Sequence, residues 1–387
     1  MFQTYDPPAG AGHAAERVAR LRANFDVLGI DGILVPRVDE HQGEYVAARS
    51  ERLAWLTGFT GSWGQALILR HSAHVFVDGR YTVQAGQQLD PAVFVVEDLV
   101  ANPPAKWMPE HLPHAVRIGF DPWLHTLSEV KSLEKAVSKF GGALVALDAN
   151  PIDAIWDDQP DAPIGEVSIQ PLDLAGKSAR DKLKDMAEAL GKAGADMTVL
   201  TDPSSLAWTF NIRGQDVPHT PVPLGFAIIR ADAAPLVFLD MAKLPIKPHA
   251  YLNQLCDILP PETILEKLAE LAPGKTVALD PALAADKLRR TIEAAGGTVI
   301  EEQDPARLPR ARKNTTELMG AHAAHRRDGA GMATFLKWYD DQQPGSLDEI
   351  GAAIKLEECR TQTGEAMQMP LLDVSFPSIS STGWGRR

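Results

Sequence analysis

Residues 53–80 read LAWLTGFTGSWGQALILRHSAHVFVDGR, and residues 206–240 read LAWTFNIRGQDVPHTPVPLGFAIIRADAAPLVFLD. Both begin with the triplet LAW, pass through a Gly-bearing turn, and continue into two short apolar runs: ALILR with HVFVDGR in the first, FAIIR with PLVFLD in the second. Runs of four to six β-branched and other apolar residues bounded by turn residues predict paired strands. The triplets lie 153 positions apart, a domain-sized period rather than that of a solenoid.

Upstream of each copy the same order recurs. Val18, Leu21, Phe25 and Leu28 fall at helical spacing, Gly29 ends that helix, and the strand-like GILVP follows at 32–36. In DKLKDMAEALGKAGADMTVL (181–200), Leu183, Met186 and Leu190 repeat the helical spacing before a second apolar run. The expected fold class is therefore α/β: two similar units, each a mixed sheet with helices packed on it.

Prolines and aspartates crowd the stretch 149–167, ANPIDAIWDDQPDAPIGEV, which reads as a linker with a boundary near Asp158. A second boundary falls near Arg310, inside EEQDPARLPRARKN (301–314). The expected units are thus 1–158, 159–310 and 311–387. The last is short: a helix from Thr316 to Tyr339, a PGSLDE turn, a helix over 347–359 with a capping box formed by Ser346 and Glu349, and a strand-like SFPSISS.

Composition narrows the function. Hydrophobic residues at 45% and charged residues at 23% match a packed globular chain. A formal charge of -13 repels phosphate backbones, so no nucleic-acid partner is expected. Cys256 and Cys359 have neither CxxC nor metal-ligand spacing, which argues against a disulfide framework and for a reducing cytoplasm. The N-terminal stretch has no signal-peptide-like apolar run and no segment has the length of a membrane span, so no membrane partner is expected.

DEHQGEY (39–45), LTGFTGS (56–62), VDGRYTVQA (77–85), TDPSSLAWTFNIRGQDVPHTPVPLGFAII (201–229) and KNTTELMGAHAAHRRDGAGMATFLKW (313–338) occur in that order. Together they resemble the three-domain Xaa-Pro aminopeptidases (aminopeptidase P), with the resemblance running from about residue 14 to 383. It implies two creatinase-N-terminal-like α/β domains followed by the beginning of a pita-bread α+β catalytic domain. It implies removal of an N-terminal residue that precedes proline, peptides with proline at position two as partners, and a possible homodimer. It also implies two divalent metals, usually Mn2+, held by two aspartates, a histidine and two glutamates.

In the family those ligands follow a stretch that begins like SISSTG and runs into a Pro-Asn-Gly segment. Here SISSTG continues as Trp384, Gly385, Arg386 and Arg387. The expectation is a chain that lacks the metal ligands, binds no metal by itself and is inactive alone, through a frameshift, an early stop or an incomplete reading of the gene. The alternative is a non-catalytic dimerisation or peptide-binding module derived from such an enzyme. A creatine- or methionine-processing relative of the same fold fits the duplicated N-terminal half less well.

The resemblance places a substrate-facing arginine at Arg80, whose guanidinium offers a planar fork of donors for a peptide carbonyl or carboxylate. The alternative at Arg80 is a hairpin end paired with Asp78. Asp39 and His41, just past a predicted strand, are further candidates, set against a hydrogen-bonded turn. His322, His325 and Asp328 share a helix face without an HExxH pattern, and read as a polar helix surface rather than a metal site. Gly58, Gly61 and Gly214 lack phosphate-loop spacing and read as turns. No GxSxG elbow or cysteine nucleophile signature is present.

Overall fold

The computed structural model describes residues 1–5 and 12–380. Six strands form the first sheet: β1 Gly32–Pro36, β2 Gly64–Leu69, β3 Ala73–Val77, β4 Val95–Asp98, β5 Arg117–Phe120 and β6 Ala143–Ala146, in the order β4-β3-β2-β1-β5-β6. A two-stranded ribbon pairs β7 Ser168–Ile169 with β9 Ile212–Arg213. The second large sheet uses β8 Met197–Leu200, β10 Phe226–Arg230, β11 Leu236–Phe238, β12 Asp257–Leu259, β13 Thr276–Leu279 and β14 Thr298–Glu301, in the order β12-β11-β10-β8-β13-β14.

The two sheets have one topology. In each, the first strand is central and antiparallel to the second, the second is antiparallel to the third, and the remaining pairings are parallel. Parallel neighbours need long crossovers, which helices such as Leu127–Ser138 supply. Helices on both faces explain why β1 is apolar throughout: Ile33 and Val35 enter one core and Leu34 enters the opposite one. The helix Ala14–Arg22 turns Ala14, Val18 and Leu21 inward, while its half-buried Arg17 and Arg22 donate to the Trp55 and Leu69 carbonyls. Gly29, in the left-handed conformation at φ 64°, then turns the chain into β1.

Small details of the turns repeat as well. Asp31 donates its N–H to the Arg117 carbonyl and takes the Arg117 N–H on its carboxylate. Asp196 does the same with Thr276. The two units then meet about a pseudo-two-fold axis. Leu127 N donates to Ala284 O while Asp286 N donates to His125 O, and Ser128 N donates to Pro281 O while Lys287 N donates to Pro122 O. Each pair is one contact made twice, as in a self-complementary dimer interface. Leu127 crosses the joint and is buried in the core of the second unit.

Residues past 311 form two helices, Thr315–Asp340 and Glu349–Ala366, packed on one another. Gly331 sits at their close approach, where a Cβ would stand 3.2 Å from the Arg360 Cα, a tight contact. The first helix opens with a capping box between Asn314 and Glu317. The same residues fasten it to the second unit: Asn314 Nδ2 donates to Ala175 O at 2.8 Å, and Trp208 Nε1 donates to Glu317 Oε1 at 3.1 Å.

Three sequence expectations need correction. The helix after the PGSLDE turn starts at Glu349 with Asp348 as its cap, accepting from Gly351 N, while the Ser346 hydroxyl donates back to Gln343 O. Asp348 is an equally good cap and takes the position two residues later. SFPSISS forms no strand among the described residues. The expected linker begins only past Trp156: Ile152, Ile155 and Trp156 belong to the first core, and Trp156 stacks on Trp55 at 5.2 Å, whereas residues 157–166 are mostly exposed. Its aspartates hide an anchor, because Asp153 takes a bidentate pair from the buried Arg52 at 2.8 and 2.9 Å. The ending Trp384, Gly385, Arg386 and Arg387 lies outside the described residues.

Candidate functional site

Because β1 and β3 are both antiparallel to β2, the loops that leave them lie on one edge of the first sheet. Arg80 follows β3; Asp39, His41 and Tyr45 follow β1. The loop after β1 is where the two copies differ. Asp31 and Asp196 are 165 positions apart but the LAW triplets only 153, so the first unit holds twelve extra residues between strand and helix. The second unit has its own insertion: Gly64, which opens β2, and Gly225, which directly precedes β10, are 161 positions apart, so eight extra residues lie between LAW and β10.

The first insertion reaches across to the second unit. Asp39 is buried, and its Oδ1 accepts from the N–H groups of His41 and Gly43, both at 3.0 Å, which fixes the turn. His41 Nδ1 lies 3.0 Å from the Thr201 carbonyl, which can only accept, and the ring stacks on Phe226 at 4.4 Å. The structure thus places Asp39 and His41 in a joint between the two units. Farther along, Tyr45 packs against the second core.

Asp216, in the IRGQD motif, anchors the second insertion. Its fully buried carboxylate accepts from Gly165 N at 2.9 Å, Leu224 N at 2.6 Å and Lys243 Nζ at 2.8 Å. Gly214 is required there, since a Cβ would lie 2.4 Å from the Pro223 nitrogen. So held, the loop presents His219 at φ 61°. His219 N donates to Asp373 Oδ2 at 3.1 Å, and its Nδ1 faces Asp373 Oδ1 at 3.2 Å and Val374 O at 3.0 Å. Tyr45 meets the His219 ring edge-on at 6.0 Å and the Phe376 ring at 6.2 Å. The two insertions and the segment after the last helix therefore converge on Tyr45.

Arg80 stands on the same rim, with its side chain 60% exposed. Asp78 holds its Nε and Nη2 edge at 2.7–3.1 Å, and the Cζ lies 5.1 Å from the Tyr81 ring centre. Tyr81 shares a 2.6 Å hydrogen bond with Ser62. The Asp78 hydrogen bonds hold the guanidinium above its ordinary range, with smaller contributions from Tyr81 and Glu44, so it is a permanent cation. Asp78 is in turn held below the usual carboxylate range by those bonds. Such a rim can grip a carbonyl or carboxylate beside aromatic faces. By itself it offers no nucleophile.

His325 and Asp328 line a second cleft, where Asp328 accepts from Arg360 Nε at 2.6 Å. Among the described residues no three His, Cys, Asp or Glu side chains come together as a metal-binding group. The described residues thus do not by themselves fit a dinuclear metal centre. Sequence reading missed Tyr45, His219, Asp216 and Phe376; the unequal loop lengths of the two copies were the signal that pointed to the first three.

The Creatinase/Prolidase N-terminal domain family matches this chain twice, over residues 17–151 and 158–317. A probable Xaa-Pro aminopeptidase P of Paracoccidioides brasiliensis (strain Pb03) is 32% identical over 387 residues, covering 95% of this chain and 62% of its own length. One from Ajellomyces dermatitidis (strain ER-3) is 32% identical over 392 residues, with 97% and 63% covered. The crystal structure of X-prolyl aminopeptidase from Caenorhabditis elegans, described as a cytosolic enzyme with a di-nuclear active site, superposes with a TM-score of 0.85 at 26% identity. It covers 97% of this chain and 65% of that one. The chain spans somewhat under two thirds of the length of these relatives. Through two consecutive domains that together span most of it, the chain belongs to the Creatinase/Prolidase N-terminal domain family, and over nearly its whole length it is similar to Xaa-Pro aminopeptidases.

Proposed function

We propose that this chain forms the substrate-facing part of an Xaa-Pro aminopeptidase, with peptides carrying proline at position two as the ligand and Arg80 as the residue that grips them. The three units run over 1–158, 159–310 and 311–387. The observation that carries the reading is the rim itself: an exposed arginine, fixed on one edge by Asp78, stands beside aromatic side chains where two domain-specific insertions converge. Fixing the fork in advance lowers the ordering cost of binding. Hydrolysis belongs to a pair of divalent metals, manganese in this proposal, bound by residues outside those described. The setting is cytosolic; no described helix is long and apolar enough to cross a membrane.

The test pairs binding with turnover. Calorimetric titration of an Xaa-Pro peptide into the 387-residue protein should give saturable binding that Arg80→Ala weakens about tenfold or more, the scale of one charge-assisted hydrogen bond. Arg80→Lys should not restore it, because an ammonium lacks the planar fork. Xaa-Pro hydrolysis with added manganese should appear only when the chain is extended past Thr382. Turnover by the 387-residue protein would place the metal ligands within it and overturn the division of labour proposed here.

The competing reading is a non-catalytic module that pairs with a second copy. Leu318, Met319, Leu336 and Tyr339 are exposed along one helix, a surface suited to association. A concentration-dependent dimer that binds Xaa-Pro peptides, with no turnover in the extended chain either, would favour it.

A further inference from the structure

A cavity of about 190 Å³ opens at the carboxyl end of β1, apart from the Arg80 rim but on the same sheet edge. The chain leaves β1 toward β2 on one side, while β5 lies on the other, so this is the point where strand order reverses and crevices form in α/β sheets. Pro36, Val38, Trp63, Leu99, Pro104 and Leu133 make its walls mostly apolar. Trp63 is 50% exposed and follows Ser62, the partner of Tyr81, which brings the mouth toward Arg80.

One wall residue is unfinished. His125 is 3% exposed, and its Nε2 is buried with no partner among the described residues. The other ring nitrogen, Nδ1, lies 3.0 Å from the Asp121 carbonyl. A carbonyl can only accept, so Nδ1 carries the proton and Nε2 of the neutral ring is an acceptor. A matching ligand group must therefore donate.

The remaining surroundings select among donors. An anion finds little: Pro103 and Pro104 remove the N–H groups that would open the nearer helix, and the next helix is closed by its Thr126–Glu129 capping box. The wall arginine, Arg37, commits Nη2 to Glu51 and Nη1 to the Glu44 carbonyl, which leaves only its buried Nε without a partner among the described residues. A cation driven to the depth of His125 would lose its hydration against that neutral nitrogen and the Glu129 carboxylate, one oxygen of which is already taken by Thr126. Gln65, Glu129 and Ser132 complete the polar lining. What fits is a flat apolar ring with a single donor, and Tyr and Trp are the side chains of that kind.

We infer that this cavity is a subsite for a tyrosine or tryptophan side chain of a bound peptide, with the phenol or indole donor on His125 Nε2. The peptide as source rests on the function proposed above; the cavity's preference for a ring with a donor does not.

The probes are N-acetyltyrosinamide and N-acetylphenylalaninamide, titrated calorimetrically into the 387-residue protein. The tyrosine probe should bind about tenfold tighter, the ratio that one hydrogen bond carries when its loss leaves a buried acceptor unpaired. His125→Leu should bring the ratio to about one by removing the acceptor while keeping an apolar wall. Ala105→Trp, which fills the cavity from its rim, should abolish binding of both probes and serves as the check should His125→Leu unfold. Equal affinities in the unaltered protein, a ratio unmoved by His125→Leu, or binding that survives Ala105→Trp would each overturn the assignment. Arg80→Ala separates the two proposals: it should weaken Xaa-Pro peptides and leave the probe ratio unchanged, so a failed peptide reading does not take the cavity with it.

Discussion

Replacing Lys243 with methionine should unfold the second unit's insertion from its base. Asp216 has no exposed side-chain surface and Lys243 only 7%, and they meet at 2.8 Å. In Lys243→Met the carboxylate keeps its two backbone donors, Gly165 N and Leu224 N, but loses its only cation while staying buried. Breaking a buried pair from one side costs about 3–5 kcal/mol, because the surviving charge is left uncompensated. With a urea slope of about 2 kcal/mol per molar, the unfolding midpoint should fall by roughly 2 M. Asp216→Asn should be destabilising in the same direction. The double variant should lose no more than the worse single, giving a coupling at least as large as the milder single's cost in the cycle. The assay is urea unfolding followed by circular dichroism on all four proteins. A loss under about 1 kcal/mol in Lys243→Met, or strictly additive singles, would refute the claim that this pair anchors the loop carrying His219.

Three further outcomes follow from buried groups. Lys182 is 1% exposed, and burial lowers its ammonium to about 8; the unfolded chain, at the ordinary 10.5, holds that proton more tightly, so stability should rise by about 2–3 kcal/mol from pH 8 to 10.5. Lys182→Met should remove that rise in pH-dependent urea unfolding, and an unchanged slope would sink the assignment. Burial pushes the Cys256 thiol up to about 12, so iodoacetamide at pH 8 should modify it only in denaturant; mass-spectrometric labelling of the native protein at Cys256 would contradict this. Leu127→Ala should cost about 2–5 kcal/mol although Leu127 belongs by sequence to the first unit, because its side chain fills the second unit's core; a thermal melt that leaves the second unit unaffected would argue against the joint.

The fold was legible in the sequence where local pattern decides it. The helix spacing of Val18, Leu21 and Phe25, the apolar run at 32–36 and the repeated LAW triplets all mark elements whose burial follows from period alone. What escaped depends on partners far along the chain. His41 read as a loop residue because its partners, Thr201 and Phe226, lie in the other unit. Asp153 read as linker composition because Arg52, a hundred residues earlier, makes it an anchor. The cap at Asp348 was missed because Ser346 offers the same chemistry two residues earlier, and only the helix geometry chooses between them. Arg80 was found through resemblance; its pairing with Asp78, the bland alternative, is also present, and at 60% exposure the two roles do not exclude one another.

The duplication gives a physical reason to look for function where the halves differ. The parts that hold the fold are repeated: strand order, the Asp31 and Asp196 turns, and an interface in which each backbone hydrogen bond has a symmetric twin. Each copy can serve as its own control, since a feature both share is sufficiently explained by the sheet and its joint. The largest departures are the twelve residues after β1 and the eight before β10, on different units and at different points of the topology. Folding alone does not require two unrelated insertions to meet, yet Tyr45 from one lies edge-on to His219 from the other, and both touch the segment at 373–376. A scaffold whose two largest departures from its own symmetry meet in one place singles that place out as the candidate functional rim; Arg80, on the neighbouring loop, stands beside it.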